Sequence, residues 1–162
     1  MIVVTNSSPL VSLARINQFG LLHLLYNQIC IPPAVREEVV TFGQSRPGTA
    51  EVETAEWIQV INVQNQTVVE SFREQLDRGE SEVIALAMEL QADLLVIDEA
   101  RGREVARSLG LNIVGTVGTL VQARQRGLIP AVTPLLDELM IGGFRMNMQL
   151  YQTAQQLAGE LD

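Results

Sequence analysis

The sequence contains no lysine, and all eleven of its cationic side chains are arginines. That absence removes Schiff-base chemistry, the lysine of a phosphate-binding P-loop, and the lysine of response-regulator receivers. Cys30 is the only cysteine and His23 the only histidine. A lone thiol forms neither an intramolecular disulfide nor a cysteine metal site, and in the apolar run "ICIPP" it reads as a buried thiol in a reducing compartment. A lone histidine leaves no paired-histidine zinc site, and Ser7 and Ser8 lack the histidine partner of a hydrolytic triad. His23, within "GLLHLLY", reads as packed or as lying at a helix rim. No apolar run approaches the length of a membrane span and no signal-like segment precedes "IVV". The expectation is a soluble, cytoplasmic protein without membrane contact.

With 162 residues, 47% of them hydrophobic, the chain is long enough for one good core and too short for two. A single domain over residues 1–162 is expected. The net charge of −8 opposes a broad basic face for nucleic acid. It leaves room for a local basic rim, or for a metal bridging two anionic partners.

Short apolar runs read as buried parallel strands at residues 2–5 (IVVT), 29–31 (ICI), 94–98 (LLVID) and 112–114 (NIV), with a fifth at 58–63 (IQVINV). Helical patterns lie between most of them. "SSPLVSLARINQFGLLHLLYN" begins with Ser8 as a predicted N-cap before Pro9 and breaks into two helices near Asn17 and Gly20. "PPAVREEVVTFG" frames a helix ending at Gly43, and "ESEVIALAMELQ" and "RGREVARSLG" supply two more. "GTVGT" reads as a tight strand-to-helix turn with a threonine cap. Strand and helix alternating in this way predict a Rossmann-like α/β/α fold with a mostly parallel sheet. Residues 130–162 carry no strand signal and read as a helical extension, two helices separated by Gly142 and Gly143, packed across the sheet or against a second subunit.

Parallel sheets keep their chemistry at the carboxyl ends of the strands. Asn6 and Asp98 both occupy that position. Glu37 and Glu38 lie in the helix after the second strand, and Glu80 and Glu82 open the helix leading into "VIALAMEL". Oxygen ligands converging from such distant segments suit a hard divalent cation such as Mg²⁺ or Mn²⁺, which could activate a water beside a scissile phosphate. Helix residues two apart point in different directions, so at most one of each glutamate pair faces such a site. The competing reading makes Glu80 and Glu82 first-turn anions on a helix dipole. Arg101, Arg103 and Arg107 follow Asp98 as a solvated helix face or as a phosphate-contacting rim.

The segments "VVTNSSPLVSLARI", "IPPAVREEVV", "GESEVIALAMELQADLLVIDEARGREVARSLGLNIVGTVG" and "LLDELMIGGFR", in that order, resemble the PIN-domain-like family DUF3368, related to the VapC toxin nucleases. The resemblance implies a Rossmann-like fold and, for active members, an Mg²⁺- or Mn²⁺-dependent ribonuclease with three or four clustered acidic residues. Carried across by position, those sites fall on Asn6, Glu38, either Glu80 or Glu82, and Asp98. The accompanying small hydroxyl falls on Ser7 or Ser8. At Asn6 an amide replaces the expected carboxylate. It can still offer an oxygen to a cation, but it removes one negative charge and accepts no proton.

Two functions follow. In the first, Glu38, Asp98 and one of Glu80 and Glu82 hold the metal, Asn6 contributes an oxygen, and Ser7, Ser8, Arg101 and Arg103 meet RNA. The protein is then a PIN-type ribonuclease, a candidate toxin with an antitoxin protein as its candidate partner. In the second, a degenerate PIN-like domain binds RNA or a partner protein without cutting. Leu135, Leu136, Leu139 and Met140 at helical spacing, and the aliphatic helix near Leu21–Leu25, predict a homodimer.

Overall fold

The computed structural model describes residues 1–161. Five strands, β1 (Val3–Thr5), β2 (Ile29–Ile31), β3 (Ile58–Val60), β4 (Leu94–Val96) and β5 (Ile113–Val114), form one parallel sheet in the order β3-β2-β1-β4-β5. The expected architecture and all five strands are present. The ladders are shorter than the apolar runs because Ile97 and Val63 are buried beyond the last paired residue. Burial, not pairing, sets the length of a hydrophobic run.

Helices α1 (Ser7–Arg15) and α2 (Leu21–Tyr26) follow β1, dividing at Asn17, whose φ is +59°. His23 sits at the end of α2, where Nδ1 donates to the Asn27 carbonyl at 2.6 Å and the ring stacks on Trp57. Helix α1 starts one residue before the predicted cap. Asn6 takes the extended cap backbone, while Ser7 and Ser8 lie inside the helix with their hydroxyls turned to carboxylates. An ionised acceptor is a stronger partner than a backbone N–H, and the expected Ser8 cap gives way to it.

After β2, helix α3 (Pro33–Arg36) widens into a π-turn, Glu37–Thr41, in which the Phe42 N–H reaches the Glu37 carbonyl at 2.8 Å. Gly43 closes it, because a Cβ there would overlap the Val39 carbonyl. Helix α4 (Thr49–Thr54) precedes β3, and α5 (Gln66–Phe72) and α6 (Arg78–Glu89) precede β4. Helix α7 (Ala100–Ser108) joins β4 to β5, and α8 (Thr116–Gln125) follows with Gly115 as its N-cap in place of the predicted threonine. On α6, β1, α3, α5 and α7 all pack, whereas α1 and α2 pack with α8.

The extension folds back on its own domain. Helices α9 (Thr133–Ile141) and α10 (Met148–Leu157) bury Leu136, Leu139 and Ala154, and α10 packs on α8. Glu160 caps α9 by accepting from the N–H of Val132 at 2.7 Å, and from the N–H and hydroxyl of Thr133 at 3.0 and 2.7 Å. Much of the apolar surface that predicted a dimer is therefore covered within the chain. Leu24 and Ile141 stay exposed. Among the described residues, no helix is long and apolar enough to cross a membrane.

Candidate active site at the carboxyl ends of the strands

The strand order reverses between β1 and β4, and parallel sheets open a crevice at such a switch point. The Asn6 N–H bonds the Val96 carbonyl at 2.9 Å, so the residues leaving β1 and β4 emerge side by side. Asp98 is held firmly. Its Oδ1 accepts from the Thr116 N–H at 2.7 Å, and its Oδ2 from the Thr116 hydroxyl at 2.7 Å and the Ser8 hydroxyl at 3.2 Å. The carboxylate thereby caps α8, and Thr116 is wholly buried.

Glu38 arrives on the π-turn, a kind of helix defect that recurs at functional sites. The Ser7 hydroxyl donates to Glu38 Oε2 at 2.6 Å. Although much of Glu38 meets solvent, crowding by the cleft walls raises its pKa, opposed by the Ser7 bond and helped by the Asp77 and Glu82 charges. Glu80 is more deeply placed, with only 8% of its surface exposed. It forms a capping box with Asp77: Asp77 Oδ1 accepts from the Glu80 N–H at 2.8 Å, and Glu80 Oε1 takes the Asp77 N–H at 3.4 Å. That accounts for one oxygen. Glu80 Oε2 is buried with no hydrogen-bond partner among the described residues. Burial, then the neighbouring Asp77 and Glu99 charges, push the Glu80 pKa from 4.5 to about 7.

Each of three carboxylates lies against a glycine. A Cβ on Gly79 would overlap Glu38 Oε1, one on Gly102 would stand 2.9 Å from Glu80 Oε2, and one on Gly115 would stand 2.8 Å from Asp98 Oδ1. The absent side chains leave room for the acidic groups to approach the helices.

Asn6, Ser7, Ser8, Glu38, Glu80 and Asp98 are thus brought to one end of the sheet. Glu82 lies near them, but both its oxygens are partnered: Oε1 accepts from the Ala34 N–H at the start of α3, and Oε2 pairs with Arg78 at 3.0 Å. Arg78 also takes Glu37, at 3.0 Å. One arginine therefore takes one member of each glutamate pair, and Glu38 and Glu80 form no ion pair among the described residues. Arg103 turns inward, donating to the Ile97 carbonyl at 2.8 Å, with burial lowering its pKa. Arg101 lies exposed on α7.

An open cleft of about 820 Å³ lies against part of this group, while Asn6 and Glu80 sit outside its lining. Glu38, Asp98, Glu99, Ser7 and Ser8 line it, and Arg15, Phe144 and Arg145 also border it. Glu99, Asp77, Phe144 and Arg145 were not singled out from sequence, and Thr116 was read only as a helix cap. Glu99 Oε2 accepts from the Asn6 amide at 3.1 Å. Crowding first, then the Asp98 and Asp77 charges, raise the Glu99 pKa.

The donor set is all oxygen and carries more negative charge than the cleft arginines offset, which suits a hard divalent cation. The unpartnered Glu80 oxygen points to the same chemistry. The set is not closed: among the described residues, no three acidic, histidine or cysteine side chains are arranged to hold a metal as they stand.

A family model, DUF3368, described as a PIN domain, matches residues 2–160. The chain belongs to this PIN-domain family. The resemblance read from sequence is correct over nearly the whole chain, and the PIN assignment agrees with the parallel sheet and its flanking helices. No curated protein sequence matches the chain.

Proposed function

We propose that this PIN domain is a metal-dependent ribonuclease that hydrolyses phosphodiester bonds at the carboxyl ends of β1 and β4. The observation that carries the reading is the group Glu38, Glu80 and Asp98, drawn from three distant segments to the sheet switch point, with a buried Glu80 oxygen left unmatched. Those three carboxylates, with the Asn6 carbonyl oxygen, would hold Mg²⁺ or Mn²⁺. Once bound, the cation supplies an activated water and neutralises charge on the phosphate.

The chain's own groups do the positioning. Ser7 steadies Glu38, while Thr116 and Ser8 fix both oxygens of Asp98. Such outer hydrogen bonds orient metal ligands and tune their affinity. Arg15 and Arg145 border the cleft, where they offset the acidic floor for an incoming phosphate.

The test is cleavage of a mixed RNA pool with Mn²⁺ or Mg²⁺. Cutting that stops with chelator, and is lost in Glu38→Gln and Asp98→Asn, supports the reading. Cutting that survives both substitutions ends it.

A second reading, an RNA- or protein-binding PIN domain without catalysis, is favoured by one observation. Asn6 turns its amide N–H toward Glu99 instead of offering a carboxylate. Absence of cleavage together with metal-independent RNA binding would select it. In either reading, an antitoxin protein or a second copy of the chain is the partner proposed for exposed apolar side chains such as Phe42, Leu24 and Ile141.

A further inference from the structure

The pair Gly142–Gly143 does more than separate two helices. Gly143 has φ +100°, and the turn closes with the Gly143 N–H on the Met140 carbonyl at 3.0 Å and the Phe144 N–H on the Leu139 carbonyl at 2.9 Å. This is a glycine C-cap of the Schellman kind, open at little cost only to glycine. Gly142 is required for a separate reason: a Cβ there would lie 2.7 Å from Arg15 Cδ, and Arg15 Nη1 donates to the Gly142 carbonyl at 2.9 Å. The turn is pinned to α1 and delivers Phe144 and Arg145 to the cleft.

Two cations line the cleft, and they are used differently. Arg15 spends one N–H on Gly142. Arg145 is exposed and makes no ion pair or side-chain hydrogen bond among the described residues. Phe144 beside it is half-buried, packed against the core while also bordering the cleft. A strand of RNA must pass an acidic floor that repels its phosphates. It needs a cation on another wall, and an aromatic face there offers a stacking surface that only an unpaired base can use.

We propose that the turn Gly142–Arg145 is the strand-holding wall of the cleft, with Arg145 on a phosphate and Phe144 under a base. The proposal rests on the ribonuclease reading for its substrate class, but the wall binds without metal and can be tested without it. It replaces Arg101 and Arg103 as the backbone contacts expected from sequence, since Arg103 is committed to Ile97 and neither residue lines the cleft.

The experiment is fluorescence anisotropy of a labelled twelve-nucleotide single-stranded RNA with the full chain in EDTA. Arg145→Ala should weaken binding about tenfold and lower the slope of log affinity against log salt by about 0.7, one phosphate contact on a single strand. Phe144→Leu, which keeps the apolar packing and removes the ring face, should weaken binding about fivefold or more with an unchanged melting temperature. Arg73→Ala, which makes the same charge change on an arginine that does not line the cleft, should have no such effect, and a hairpin of matched length should bind more weakly than the single strand. Wild-type affinity in both cleft variants, no binding by the natural protein, or equal binding of strand and hairpin would each overturn the proposal. Metal-dependent cleavage that is lost in Glu38→Gln yet unchanged in both wall variants would remove the wall and leave the nuclease standing. Binding lost in the wall variants, with no cleavage by any form, would keep the wall and remove the nuclease.

Discussion

The amide of Asn6 donates a hydrogen bond to Glu99 Oε2 across 3.1 Å, joining the residue that leaves β1 to the residue that opens α7. A carboxylate missing from one strand end is thus met by a carboxylate from the next. The sequence alone predicts that Asn6→Asp tightens metal binding by restoring a charge. With Glu99 in contact, that aspartate would face a like charge, favourable only with a cation between the two. Asn6→Asp should therefore lower the melting temperature in EDTA and raise Mn²⁺ affinity by calorimetry. Glu99→Gln should weaken Mn²⁺ binding, and Asn6→Asp should raise the affinity by a larger factor in the Glu99→Gln background than in the natural protein, where the two carboxylates repel each other. Purely additive effects of the two substitutions would show that these residues do not share one role.

Gly79 offers a test in which stability and activity move in opposite directions. Alanine suits a helix better than glycine by up to about 0.5–1 kcal/mol. Its Cβ would nevertheless occupy the place of the Glu38 carboxylate, the end of a flexible side chain that can swing away. Gly79→Ala should melt at the same temperature or higher while losing about tenfold or more in Mn²⁺ affinity and cleavage. Loss of both together would mean that Gly79 serves the fold alone.

Thr116 holds both oxygens of Asp98, one through its N–H and one through its hydroxyl. Thr116→Val keeps the first bond and deletes the second. Cleavage should fall about 10- to 100-fold, the usual cost of losing an orienting partner of a metal ligand. Thr116→Ser should recover most of it. Equal loss in Val and Ser would assign the defect to packing.

The raised pKa of Glu80 sets a pH dependence of stability in the metal-free protein. Unfolded, the group ionises near its ordinary value of 4.5, whereas folded it holds its proton to about 7. Between those values the native state binds more protons than the unfolded chain, so stability falls as pH rises through this window and levels off above it. Glu80→Gln should stabilise the chelated protein by on the order of 2 kcal/mol at pH 8 and have little effect at pH 4. Urea titrations at the two pH values measure the difference. A variant less stable at both would show that the carboxylate is needed structurally.

The strands and the strand-end position of Asp98 were legible because a buried parallel strand prints a short apolar run followed by a polar residue. Which of Glu80 and Glu82 takes an ion pair was not. Both open the same helix, and the decision falls to Arg78 and the start of α3, which approach only in the folded chain. Glu99 was hidden behind Asp98, which already satisfied the strand-end pattern, and its contact with Asn6 depends on β1 lying beside β4. The π-turn carrying Glu38 has no periodicity to announce it. Gly142 and Gly143 were readable as a break between helices, but that the break overlooks the cleft depends on α9 folding back toward α1.

Glu160 fastens the first turn of α9, and the far end of that nine-residue helix, about 14 Å away, carries the turn beside the cleft. Glu160 and the rim of the cleft are therefore at opposite ends of one strut. A substitution that frees the first turn of α9, such as Glu160→Gln, would act from that far end on the placement of Phe144 and Arg145. Its effect would then be read in RNA affinity, with the carboxylates beneath left in place.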